Sequence, residues 1–257
     1  MPEDNKPQFP TEVVSLPSKG YYYPKDNPLS SGQVELKYMT AREEDILTSP
    51  NLLNKGIVLD KLLEALIVSK ININDILIGD KNAIIVASRV LAYGKDYKFE
   101  YTDPSSGETA QNTVDLTTLE HKDVDFDKSK KGTNEFSFEL PQTKKNITFK
   151  LLTHFDEKSI EAHLKSLKKI TKGGIEPELT TRLKQCILSV DGETDKQYIN
   201  NFVDNEFLSL DSFAFRTYLT AMTPDVEMVS NVELANGEIE EVTVPMTVGF
   251  FWPSAKG

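Results

Sequence analysis

The stretch that decides the fold reads QVELKYMTAREEDILTSPNLLNKGIVLDKLLEAL, residues 33–66. Its first residues alternate apolar and polar side chains, which predicts a strand that ends at Thr40. Thr40 and Glu43 have the capping-box spacing, in which each side chain satisfies a backbone N–H at the start of a helix. After a break at Ser49-Pro50, apolar residues at helical spacing predict an amphipathic helix over residues 57–68.

Length and composition favour a globular chain with a core of its own. The chain has 257 residues, of which 39% are hydrophobic and 27% are charged. The net charge of −11 argues against nucleic acid as a partner, because phosphate binding needs a basic face. No window approaches the roughly 20 apolar residues of a membrane helix, so no membrane span is predicted. The first ten residues hold no apolar signal core, and we expect the chain to fold in the cytoplasm.

The remaining elements follow from turn and cap residues. Asp80 is predicted to cap a helix that ends before Gly94, and a hairpin follows over residues 97–116. Asp211 is predicted to cap a second apolar helix, and Asn236-Gly237 is a strong turn signal for a hairpin near the end of the chain. Between the first hairpin and Asp211, a helix is predicted over residues 177–188.

The two ends of the chain share an order of motifs that indicates an internal duplication. VVSLPSK matches FELPQTK, VELKYMTAREED matches FKLLTHFDEKSI, and GETAQNTVDLT matches GEIEEVTVPMT. Asp80 would correspond to Asp211 in the same order. The predicted fold class is α+β, with two tandem pseudo-repeats related by a pseudo-twofold axis. Each repeat would hold a strand pair, two or three helices and a β-hairpin.

This duplication implies a division of the chain into five parts. They are an N-terminal arm with a Tyr-rich loop (residues 1–32), a first α+β repeat (33–120), a charged linker (121–134), a second α+β repeat (135–249) and an aromatic C-terminal tail (250–257). Superposition of residues 11–119 on residues 136–249 tests the duplication, since the shared elements must match in order.

Two aromatic clusters are candidate partner-binding residues. They are Tyr21, Tyr22 and Tyr23 in a loop rich in Pro and Gly, and Phe250, Phe251 and Trp252 at the end of the chain. Each cluster has two interpretations: it folds back on its own domain, or it docks on another protein. The second interpretation rests on the large contact area that Tyr and Trp supply at interfaces.

Side chains that could carry chemistry are scattered along the sequence. His154 and His163 lie about two and a half turns apart on one predicted helix, too far to share a metal, and His121 lies in the charged linker. Cys186 is the single cysteine, which excludes an internal disulfide and a cysteine-based zinc site. The sequence therefore predicts no catalytic, metal or cofactor site, and a chain that is not an enzyme.

Four phrases of the sequence resemble a known protein family. They are LKYMTAREEDILTS, NKGIVLDKLLEALI, IGDKNAIIVASRVLAYG and the FFWP ending. In them the chain resembles the baseplate hub subunits of T-even-like contractile-tailed bacteriophages, a family related to tail assembly chaperones. The resemblance covers residues 16–253 and is densest over residues 38–114.

The resemblance implies a function in building the hub of the phage baseplate through protein–protein contacts, either as a structural subunit or as an assembly chaperone. Its partners would be other baseplate hub and tail proteins, with the tape-measure protein as one candidate. Its location would be the host cytoplasm during assembly and the tail baseplate of the virion. The alternative function is a tail-associated cell-wall hydrolase, which would need a carboxylate pair in a cleft or a zinc site.

Overall fold

The computed structural model describes residues 10–103, 106–107, 109–170, 176–234, 237, 239–246 and 248–251. Helices and small antiparallel sheets alternate through this part of the chain, so the predicted α+β class is confirmed. A single cluster of buried apolar side chains draws on the whole length, from Leu16 to Phe251. Below, residues 11–120 are called the first half and residues 135–249 the second half.

The first half places two strand pairs around four α-helices. In chain order the elements are β1 (Thr11–Ser15), β2 (Gln33–Lys37), α1 (Ala41–Thr48), α2 (Pro50–Lys55), α3 (Val58–Leu66), α4 (Ile78–Tyr93), β3 (Asp96–Thr102) and β4 (Thr109–Asp115). β1 runs antiparallel to β2, and β3 and β4 form the predicted hairpin, with Tyr97 opposite Val114. The chain after α3 meets β2 through an antiparallel bridge between Leu36 and Ile67.

The second half uses a similar set of elements. They are β5 (Phe136–Glu139), β6 (Asn146–Phe149), α5 (His154–Ile170), α6 (Glu178–Cys186), β7 (Ile187–Val190), α7 (Lys196–Asn201), α8 (Ser209–Met222), β8 (Val229–Glu233) and β9 (Ile239–Thr243). β5, β6 and β7 form one antiparallel sheet, and β8 pairs with β9. The helix predicted over residues 177–188 is wrong at its end, because residues 187–190 leave the helix and pair with β6.

The deciding stretch folds as its capping residues predict. The Glu43 carboxylate accepts hydrogen bonds from the Thr40 N–H at 2.9 Å and from the Thr40 hydroxyl at 2.6 Å. Lys37, at the end of β2, donates to the other Glu43 oxygen at 2.7 Å. At the predicted break a short helix, α2, begins at Pro50. Gly56, with φ +72°, caps its C-terminal end.

The second half repeats this arrangement at the start of α5. Asp156 accepts hydrogen bonds from the Thr153 N–H at 3.0 Å and the Thr153 hydroxyl at 2.9 Å. Lys150 donates to both Asp156 oxygens, at 2.7 and 2.8 Å. The two halves therefore share the pattern Lys-x-x-Thr-x-x-acid, with a buried carboxylate that joins a strand end to a helix start.

These two carboxylates predict a loss of stability in acid. Burial by itself would raise the pKa of Glu43, but hydrogen bonds from Lys37 and Thr40 outweigh burial and lower this pKa to about 2. The pKa of Asp156 is lowered in the same way. A carboxyl whose folded pKa is depressed stabilises the fold above its ordinary pKa, and this contribution is lost as the pH falls towards the folded pKa. We expect Glu43 to contribute about 2 kcal/mol near pH 7 that disappears between pH of about 5 and 2.

Urea unfolding of the wild type and of Glu43→Gln across this pH window measures that contribution. The variant should be less stable than the wild type near neutral pH, and the difference should shrink as the pH falls. Glu44→Gln, one residue along and exposed, is the matched control and should follow the wild type. A difference between Glu43→Gln and the wild type that stays constant with pH would contradict the assignment.

Asp80 and Asp211 are not helix caps, which corrects the sequence-based expectation. Each is the third residue of its helix, and Leu77 and Leu208 hold the N-cap positions. The Asp80 carboxylate instead accepts the Ser18 N–H at 2.9 Å and the Ser18 hydroxyl at 2.6 Å. The buried aspartates therefore fasten a loop from far away in the sequence to the start of their own helix.

Asp211 does the same in the second half. Its oxygens accept the Gln142 N–H at 2.7 Å, the Thr143 N–H at 3.1 Å and the Thr143 hydroxyl at 2.8 Å. Both loops follow a Leu-Pro pair, and each holds one lysine with positive φ, Lys19 at 51° and Lys144 at 57°. These matching contacts support the duplication, which stays a prediction until the halves are superposed.

Candidate functional site

The tyrosine cluster lies against its own chain. Tyr22 is buried, with its ring 5.2 Å from the ring of Phe136 and 5.7 Å from that of Phe126. Tyr21 is half-buried, and its hydroxyl donates to the Ser129 carbonyl at 3.0 Å. The predicted linker thus covers the outside of this loop.

Tyr23 joins the buried Asp80 site. Its hydroxyl donates to Asp80 Oδ2 at 2.6 Å and accepts the Leu77 N–H at 2.8 Å. Burial, followed by the charge of Asp80, raises the pKa of Tyr23 well above its ordinary value. Tyr22 and Tyr23 therefore fit the interpretation in which the loop folds back on its own domain. A partner contact by these side chains stays a prediction that requires the loop to leave its present packing.

The aromatic residues at the end of the chain are also internal. Phe250 and Phe251 are each 1% exposed. The Phe250 ring lies 4.8 Å from that of Tyr97 on β3, and the Phe250 carbonyl accepts the Arg89 Nε–H at 2.9 Å. Both phenylalanines therefore anchor the end of the chain on the first half. Trp252 lies outside the described residues.

The predicted linker packs along both halves. An antiparallel bridge joins His121 to Val226, in which the Lys122 N–H donates to the Asp225 carbonyl at 2.9 Å. Val124 is buried. Asp123, Asp125 and Asp127 are exposed, so these charged side chains face outwards while Val124 turns inwards.

A backbone contact between the halves lies at the start of α4. The Ile78 N–H donates to the Leu152 carbonyl at 3.1 Å, and the His154 N–H donates to the Ile76 carbonyl at 2.7 Å. These two bonds form an isolated antiparallel bridge between the segment before α4 and the segment before α5. We call this contact the α4–α5 junction.

Ion pairs surround the α4–α5 junction. Asp60 on α3 lies 3.1 Å from His154 Nε2 and 3.1 Å from Lys158 Nζ. Burial would raise the pKa of Asp60, but these two partners outweigh it and lower the pKa to about 2. Lys81 on α4 pairs with Glu157 on α5 at 3.2 Å. This cluster was not predicted, because its members come from three helices and lie up to 98 residues apart in the sequence, from residue 60 to residue 158.

Gly79, in the first turn of α4, permits a close approach to the segment that follows α8. A Cβ atom built on Gly79 would lie 1.9 Å from the Pro224 carbonyl oxygen, which is backbone and cannot rotate away. We therefore expect Gly79→Ala to lower the free energy of unfolding by about 2 kcal/mol through overpacking, as measured by urea unfolding. Ser209→Ala, at an exposed position in the first turn of α8, is the control and should unfold like the wild type. Equal stability of Gly79→Ala and the wild type would show that the halves are not packed this closely.

The predicted pseudo-twofold relation requires a reciprocal contact, and that contact is not made. Leu77 meets Thr153 at the α4–α5 junction, so a twofold axis would bring Leu208 to Thr40. Leu208 and Thr40 are both exposed, and no backbone hydrogen bond joins their segments, which the structure describes in full. The halves therefore meet in a head-to-tail manner at this contact.

The described residues hold no group of three or more His, Cys, Asp or Glu side chains that could bind a metal. Cys186 is buried, and burial raises the pKa of its thiol to about 12. Within the described chain, no helix is both long and apolar enough to cross a membrane.

Comparison with known proteins gives one match. The family described as T4 bacteriophage base plate protein matches residues 13–252. No curated protein and no solved structure matches the chain.

Proposed function

Because this chain belongs to the family of T4 bacteriophage base plate proteins, we propose that it acts in the hub of a contractile-tail baseplate, through protein–protein contacts made during tail assembly. The observation that carries the proposal is the extent of the family match, which runs from residue 13 to residue 252. All but the first two residues of the first half, the whole second half and the α4–α5 junction fall inside the matched range. The folded unit described above is thus the unit that the family shares.

The partners in this proposal are other baseplate hub and tail proteins, with the tape-measure protein as one candidate. Family membership supports a location in the tail baseplate of the virion, and assembly would take place in the host cytoplasm. The chain would act either as a subunit that remains in the baseplate or as a chaperone that leaves after assembly. Both versions work by surface recognition and need no reaction centre.

The test of the proposal is a phage that lacks this chain. We expect infected cells to accumulate incomplete baseplates or tails, and full-length tagged chain to recover hub proteins from infected cells. Normal yields of infectious particles without the chain would contradict the proposal. Digestion of purified peptidoglycan by the pure chain would instead support the cell-wall hydrolase.

Mass spectrometry of purified virions separates the two versions. Peptides of this chain in amounts comparable to those of other baseplate proteins identify a structural subunit. Their absence from mature particles, together with recovery from assembly intermediates, identifies a chaperone.

A further inference from the structure

Three apolar side chains are exposed together at the start of α8. Leu208 at the N-cap is 41% exposed, Leu210 is 58% exposed and Phe213 is 62% exposed. Leu210 and Phe213 are three residues apart, so they project from the same side of the helix. We call these three residues the α8 face. Grouped apolar exposure of this kind is typical of an interaction surface.

The other half shows what covers the residue that corresponds to Leu208. Counted from the buried aspartate, Leu208 corresponds to Leu77, because Leu77 precedes Asp80 by three residues as Leu208 precedes Asp211. Both leucines are N-caps with nearly the same backbone, φ −63° and ψ 149° for Leu77 and φ −62° and ψ 149° for Leu208. Yet Leu77 is only 4% exposed, because the segment before α5 covers it.

The covering segment belongs to the Lys-x-x-Thr-x-x-acid pattern. At the α4–α5 junction it is Leu152 to Asp156, which starts α5. The chain holds this pattern once more, in Met39 to Glu43 at the start of α1. We call residues 39–45 the α1 edge. In it Thr40, Ala41 and Asp45 are exposed, whereas His154, which corresponds to Ala41, is 1% exposed.

Each molecule therefore presents both sides of one contact, and none of the residues that the structure describes occupies either side. We propose that the α8 face of one copy docks on the α1 edge of a second copy, in the way that the start of α4 meets the segment before α5 inside the chain. The occupant of the α8 face is then a second copy of this chain. The contact is heterologous, since it joins two different surfaces, and it builds a ring or an open row of copies.

Charge and size are compatible with this contact. Arg216 is exposed one turn beyond Phe213, and Glu44 and Asp45 are exposed on the α1 edge, so opposite charges flank the apolar centre. Leu210 and Phe213 stand where Gly79 and Asn82 stand in α4, and inside the chain those two residues contact Pro224 and Asp225. The contact between copies would instead bury the Leu210 and Phe213 side chains.

Sedimentation velocity of the pure full-length chain tests the proposal. Over roughly a hundredfold range of concentration, the average mass should rise with concentration. Phe213→Asp on the α8 face and Ala41→Glu on the α1 edge should each weaken self-association at least about tenfold. Ala41→Glu adds an acid to the first turn of α1, which suits the helix dipole and preserves folding. Phe155→Asp, at a 58% exposed position on α5, is the control and should associate like the wild type.

A mixing experiment then identifies which surfaces meet. Each of the two variants keeps one intact surface, so an equimolar mixture of Phe213→Asp and Ala41→Glu should form a heterodimer and grow no further. A mixture that stays monomeric would overturn the proposal, as would a wild type that is monomeric at every concentration. If the wild type is monomeric but Phe213→Asp no longer recovers a tail protein from infected cells, the α8 face binds a different protein. The measurement uses the pure chain, so its failure leaves the proposed baseplate function standing.

Discussion

Replacement of Asp80 with alanine is expected to lower the free energy of unfolding by about 5 kcal/mol. The carboxylate is fully buried and accepts three hydrogen bonds, two from Ser18 and one from the Tyr23 hydroxyl. Bonds to a charged group contribute about 1.5–3 kcal/mol each, and their loss leaves the buried donors without an acceptor. Burial raises the pKa of Asp80, so part of the loss is offset by removal of a buried charge.

Urea unfolding of the pure chain measures this effect. Asp26→Ala is the matched control, because Asp26 is exposed in the loop that holds Ser18 and Tyr23. Its effect on the free energy of unfolding should stay within about 0.5 kcal/mol. The Tyr23 hydroxyl also accepts the Leu77 N–H, so loosening of this site should reach the α4–α5 junction. An Asp80→Ala protein as stable as the Asp26→Ala protein would show that the loop is held by other contacts.

Replacement of Phe250 with alanine is expected to cost about 4 kcal/mol of stability. The side chain is 1% exposed, and its ring packs against Tyr97 at 4.8 Å and against Phe251 at 5.7 Å. Truncation removes the buried ring and leaves a cavity between the end of the chain and the first hairpin. The Phe250 carbonyl can still accept from Arg89, so the loss reports packing.

Thermal and urea unfolding of Phe250→Ala check this value, and Phe155→Ala provides a control at an exposed phenylalanine. The same variant decides between the two interpretations of the terminal aromatic cluster. A large loss of stability identifies an internal anchor. Unchanged stability with loss of partner recovery from infected cells would identify Phe250 as a docking residue.

Local elements were predictable because their signals lie within a few residues. Thr40 and Glu43 form the capping box that their spacing indicates. Gly94 ends α4, and β3 and β4 occupy the predicted hairpin. In each case a backbone group finds its partner close by in the chain, so composition and spacing carry enough information.

Contacts over long sequence distances account for the errors. Asp80 carries the features of a helix cap, but Ser18 lies 62 residues away and takes its carboxylate. Residues 187 and 188 are predicted to end a helix, but β6 offers an open edge and the segment Ile187–Val190, which holds two β-branched residues, pairs with it. Whether residues so far apart in the sequence come into contact depends on how the halves pack. The spacing of residues along the chain does not show this.

From the residues alone came the α+β class, the paired motifs of the two halves and the likeness to phage baseplate proteins. The tertiary structure alone decided which aromatic side chains are internal, how the halves meet at the α4–α5 junction, and which apolar face stays uncovered. The physical reason lies in the range of the interactions. Caps and turns are satisfied by near neighbours, whereas burial of Tyr22, Phe250 and Leu77 depends on segments that fold onto them from elsewhere in the chain.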